Sequence, residues 1–155
     1  MDSVLKFVKI LALGTWVGSI VYFVAIVTRG AFAVLTRDQA GALVGFTLAG
    51  LHEIGVIAAV AFVIAAIGLE MSIKAMARPA ALGVALMLLL TLESQRVVIP
   101  RMDALRREMG SVDMTPPGDP RRAEFNRLHG VSVDLEAGVL IVGLVALFLT
   151  VRGET

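Results

Sequence analysis

The side chains in this 155-residue sequence that are equipped for chemistry are few, and they stand inside or beside long apolar runs: His52, Glu53, Glu93, Arg96, His129, Asp134 and Glu136. An ionisable group at membrane depth is costly, so each of these needs a partner or a use. Helical spacing groups them. Thr15, Ser19 and Tyr22 fall at i, i+4 and i+7 and form one polar stripe, and His129, Ser132 and Glu136 fall at i, i+3 and i+7. Glu93 and Arg96 are three apart and are placed to pair. His52 and Glu53 are adjacent, so on a helix they diverge by about 100° and cannot both point at one centre. Glu70 stands apart, at the other end of its run.

Three chemistries suit this set. The first is structural: hydrogen bonds and ion pairs that lock helices together. The second, and the function expected ahead of a structural scaffold, is a site that binds and can transport a cation or small polar ligand, made by Tyr22, His52, Glu53, Glu93, Arg96, His129, Ser132 and Glu136. Two imidazoles and up to four carboxylates against one arginine are more acidic than a staple requires, and His52, His129 and Glu136 are candidate ligands for a divalent metal ion. The third is haem, with His52 and His129 as axial ligands from separate helices. The absence of cysteine excludes disulfides and thiolate metal sites. With no nucleophile, phosphate loop or spaced metal motif, the expectation is a protein that is not an enzyme.

The elements that must hold these residues are transmembrane helices. The chain is 57% hydrophobic and 17% charged, with a mean hydropathy of +0.86; soluble domains average about a quarter charged. Uncharged runs such as Val56 to Leu69 and Val139 to Val151 approach the roughly 20 residues needed to cross a hydrocarbon core about 30 Å thick. The fold class expected is an all-α, integral membrane four-helix bundle in one domain, with spans at about 4–28, 51–74, 79–99 and 129–151. The first apolar stretch is too long for a cleaved signal peptide and reads as a retained helix.

Local signals mark the boundaries. Thr36 and Gln39 make a capping-box pattern, so the second helix starts well before its crossing and runs to about Lys74. Pro79 opens the third helix, and Pro100 is expected to end or kink it. The connection 100–128 carries a part, 110–120, expected to be mobile, holding Pro116, Pro117 and Gly118. Asp119 then caps a fourth helix with Pro120 at its first position.

With four crossings, Tyr22, His52, Arg96 and His129 all lie toward one side of the membrane, which predicts a polar cluster just inside that face. The partner expected is the lipid bilayer, and the location a cell membrane crossed several times. Arginine-rich connections 29–36 and 100–128 favour a cytoplasmic side for both, although Lys6 and Lys9 pull the other way. Gly14 and Gly18, like Gly41 and Gly45, have the four-residue spacing that lets helices approach closely. That pattern serves packing within the bundle or a homo-oligomer. No basic block with interleaved aromatics points to nucleic acid.

Several stretches resemble the transmembrane protein 205-like family of small four-span membrane proteins. They are LALGTWVGSIVY at Leu11 to Tyr22, His52 within AGLHEIG, QRVVIPRM at Gln95 to Met102, and FNRLHGVS at Phe125 to Ser132. The resemblance implies a four-helix fold, a loosely defined link to metal or drug tolerance, and a shared polar set of His52, Arg96, His129 and Ser132. The family pattern leads one to expect an amide where this chain has Glu136.

Overall fold

A computed structural model describes residues 1–153. Among them the chain forms four long helices and no strand: α1 (Asp2–Val34), α2 (Arg37–Glu70), α3 (Pro79–Met109) and α4 (Pro120–Gly153). All four are long and apolar enough to cross a membrane. At 1.5 Å per residue each is about 50 Å long, well beyond the roughly 30 Å of a hydrocarbon core. The fold is the all-α membrane bundle that composition indicates.

The helix ends follow from local chemistry. Both halves of the capping box at the start of α2 are present, with the Gln39 amide donating to Thr36 Oγ1 and the Thr36 amide to Gln39 Oε1. α2 stops at Glu70, short of Lys74, because Met71 takes a left-handed conformation (φ 48°) and Ser72 accepts from the Lys74 amide. A 3-10 turn, Ile73–Ala77, and an extended Arg78 then lead into Pro79, which disfavours a helical residue before it. At the start of α4, Asp119 Oδ1 accepts from the Arg121 amide at 2.8 Å. The Arg121 guanidinium beside it holds the Asp119 carboxyl down to about 2.

Two features add detail to the sequence expectations. α3 passes through Pro100 and ends at Met109. A π-helical stretch, Ser94–Val98, lies just before the proline and alters the bonding pattern where the missing N–H and the ring would otherwise break an α-helix. The segment 110–119 is hydrogen-bonded to α2 and α4: Asp38 at the start of α2 accepts from the Ser111 hydroxyl and from the Val112 amide (3.2 Å), and Arg122 donates to the Thr115 carbonyl.

α1 packs along α2 and α4, and α3 along α4 and α2, so α2 and α4 face each other across a diagonal. The core is built of Leu13, Trp16, Ile20, Phe62, Val84, Met87 and Val139. Lipid tails are as apolar as these side chains, so close packing holds the helices together. Glycines supply the close approaches. A methyl group at Gly55 would lie 2.6 Å from the Trp16 ring, and one at Gly143 would lie 2.8 Å from Val17 and Met87. A second apolar cluster, Val98, Met102, Phe125 and Leu128, joins the far halves of α3 and α4.

Candidate functional site

The polar residues divide according to which face of their helix they occupy. His52 is 1% exposed, and its Nε2 lies 3.4 Å from Glu136 Oε2, a long hydrogen bond; an ionised carboxylate only accepts, so with Glu136 ionised the donor is the Nε2–H form of the imidazole. This contact joins α2 to α4 across the diagonal, where their backbones scarcely meet. Thr91, Ser94 and Ser132 are also buried. Gly83 abuts Ala146, Met87 abuts Gly143 and Leu90 abuts Gly138, and this antiparallel register carried upward brings Ser94 to the height of Glu136. α2, α3 and α4 thus each place a polar side chain in one interior layer.

The layer sits at mid-length in the helices. From Glu136 to Arg152, at 1.5 Å per residue, is about 24 Å. If the hydrocarbon core begins at that end, the layer lies inside its far boundary. Two atoms here are buried without a hydrogen-bond partner: His52 Nδ1 and Ser94 Oγ. An unmet buried polar atom costs about 1–3 kcal/mol. Ser94 also opens the π-helical stretch of α3, and α1 carries another at Phe23–Thr28. Such stretches appear frequently at functional sites.

The other candidate residues face away from this layer. Tyr22 is 61% exposed, and Glu53, Glu93, Arg96, His129 and Asp134 are all exposed. The two histidines do not converge, since His52 is at the centre and His129 is on the outside. Among the described residues no three acidic, histidine or cysteine side chains come close enough together to hold a metal ion. The expected ligand set His52, His129 and Glu136 therefore reduces to the pair His52–Glu136, and axial haem ligation by both histidines does not fit this arrangement. Glu93 and Arg96, both exposed, form no ion pair, and a π-helical stretch begins between them at Ser94. Ser94 itself was missed; its placement depends on the helical phase of α3, which no sequence signal fixes.

The glycines also separate by role. Gly41 and Gly45 make room for Arg106, whose guanidinium lies 3.5 and 3.8 Å from where their Cβ atoms would be and 5.4 Å from the centre of the Phe125 ring. Around Gly14, Gly18 and Gly50 a Cβ would meet nothing within 4 Å. These three glycines, with Thr15, Ser19, Tyr22 and Thr47, line an open groove of about 500 Å³ between α1 and α2.

The family described as a domain of unknown function (DUF4149) matches residues 11–111. The chain belongs to the DUF4149 family. The matched segment holds His52 and Ser94, whereas Glu136 lies beyond it on α4. Nothing among curated proteins or solved structures matches. The family and the four spanning-length helices together make this a small multi-pass membrane protein.

Proposed function

We propose that this DUF4149 protein is a non-catalytic membrane scaffold or complex subunit, braced internally by His52–Glu136 and presenting its outer polar residues to a partner. The observation that carries this reading is the division of polar groups. One histidine–carboxylate pair is turned inward, and Tyr22, Glu53, Glu93 and Arg96 face outward from a single bundle. Polar groups facing lipid are costly, and protein contacts at those faces relieve the cost. The open groove at Gly14, Gly18 and Gly50 supports assembly with another helix, because a Cβ at any of these positions would meet nothing within 4 Å.

The binding or transport of a cation is the second reading, and its support is the carboxylate of Glu136 next to a buried imidazole. Within the family, the stretches similar to transmembrane protein 205 favour placing the chain near those proteins, and of their shared polar set His52 and Ser132 face inward here.

Native mass measurement in lipid nanodiscs tests the proposal. The wild type is expected as an oligomer or with a co-purifying partner, and Gly18→Leu, whose Cβ would meet nothing within 4 Å and whose side chain would fill the open groove, is expected to release folded monomer. A wild-type monomer that binds divalent cations through Glu136 would reverse the order of the two readings.

A further inference from the structure

We infer that the interior layer holds a water-sized, hydrogen-bonding guest between His52 Nδ1 and Ser94 Oγ, reached through the seam between α2 and α3. This needs the His52–Glu136 contact but not the scaffold reading, so either can fail alone. In a neutral imidazole whose Nε2–H donates to Glu136, Nδ1 is a bare acceptor. A serine hydroxyl both donates and accepts. Both atoms are at least nine-tenths buried without a partner, and the α3–α4 register places Ser94 at the height of the carboxylate that His52 contacts.

A water molecule fits this chemistry. It can donate to Nδ1 and exchange a second hydrogen bond with the hydroxyl, and buried waters characteristically satisfy polar groups left over in an interior. Two structural features mark a way in. α2 and α3 share the least contact of the four neighbouring helix pairs, and the π-helical turn starts at Ser94 itself. A divalent metal is a poorer guest, because one carboxylate, one imidazole and one hydroxyl fall short of the usual ligand set. The His52–Glu136 pair is then a hydrated centre inside an otherwise apolar bundle.

Water-edited solid-state NMR of the labelled protein in bilayers tests this directly. Magnetisation from water should reach the His52 ring and Ser94 Cβ nearly as fast as it reaches Met114 in the exposed connection. It should reach Val84, buried ten residues away on α3, much more slowly. The cysteine-free chain permits a second measurement: Ser94→Cys should bind silver ion from solution in the folded protein, and Val84→Cys should not. Transfer to His52 and Ser94 at the Val84 rate would overturn the inference. So would a His52 ring nitrogen signal that shifts in Ser94→Ala while both sites stay dry, since that would mean a direct His52–Ser94 hydrogen bond.

Discussion

Replacing Gly55 by alanine should destabilise the bundle through a clash with Trp16. The added carbon would lie 2.6 Å from Cε2 and Nε1 of the indole and 2.8 Å from Cζ2, whereas ordinary contact begins near 3.4 Å, so the ring must retreat by about 0.8 Å. Trp16 is 2% exposed and rigid, leaving it little space to do so. Overpacking of this kind costs roughly 1–3 kcal/mol. Alanine also favours helix over glycine by about 1 kcal/mol, and Gly14→Ala carries that gain without a clash, because nothing lies within 4 Å of its added carbon. The difference between the two variants therefore isolates the clash, a roughly 5- to 150-fold change in the folding equilibrium. Unfolding by sodium dodecyl sulfate in monomeric micelles can be followed through Trp16, the one tryptophan of the sequence. Equal midpoints for the two variants, with unchanged Trp16 emission, would refute the α1–α2 packing described.

Arg106→Ala should loosen the far ends of α2, α3 and α4 by about 1 kcal/mol, since the guanidinium lies over Phe125 and against Gly41 and Gly45; limited proteolysis of the connection 110–119 would report it. Lysine should restore this only in part, because a compact ammonium does not stack as a planar guanidinium does. The depressed Asp119 carboxyl stabilises the folded state above its ordinary value near 3.8, and that contribution is lost as pH falls toward about 2. Protection of the Arg121 amide, measured as its exchange rate relative to the intrinsic rate at each pH, should fall over that acidic interval and stay constant above pH 5, and Asp119→Asn should flatten the dependence. Single cysteines at Val34 and Met114, both exposed, should react with an impermeant label from the same side of the membrane, and both arginine-rich connections are expected to face the cytoplasm. Labelling from opposite sides would contradict the count of four crossings.

The sequence makes the class and much of the punctuation legible. The apolar runs give spanning helices, and Thr36 with Gln39 marks the start of a helix through chemistry that acts locally. His52 and Glu136 stand out because ionisable groups are rare in such runs. The inward faces are harder to read, because a helix that is apolar all round gives no periodic signal for which side meets its neighbours. Tyr22, Glu93 and Arg96 lie within about one turn of the height of His52 but at other angles around their helices, and His129 lies seven residues, about 10 Å, along α4 from Glu136; approximate height is the coordinate that spacing along the chain supplies. The π-helical stretches add to the difficulty by shifting phase within α1 and α3. Glycine spacing misleads for a related reason: the paired Gly14 and Gly18 face open space, whereas the tight approaches fall at the isolated Gly55 and Gly143.

The account rests most heavily on the contact between His52 and Glu136, and a double-mutant cycle tests it most directly. His52→Ala, Glu136→Gln and the double variant would be compared by reversible unfolding in micelles, with His52 at 2% and Glu136 at 12% side-chain exposure in the folded state. Interhelical hydrogen bonds in membranes couple by about 0.6 kcal/mol on average and up to about 1.7. A pair that can carry charge across the diagonal of the bundle should fall above about 1 kcal/mol, with the double variant little worse than the more damaging single one. Losses that simply add, to within about 0.3–0.5 kcal/mol, would show that the two side chains do not brace α2 against α4.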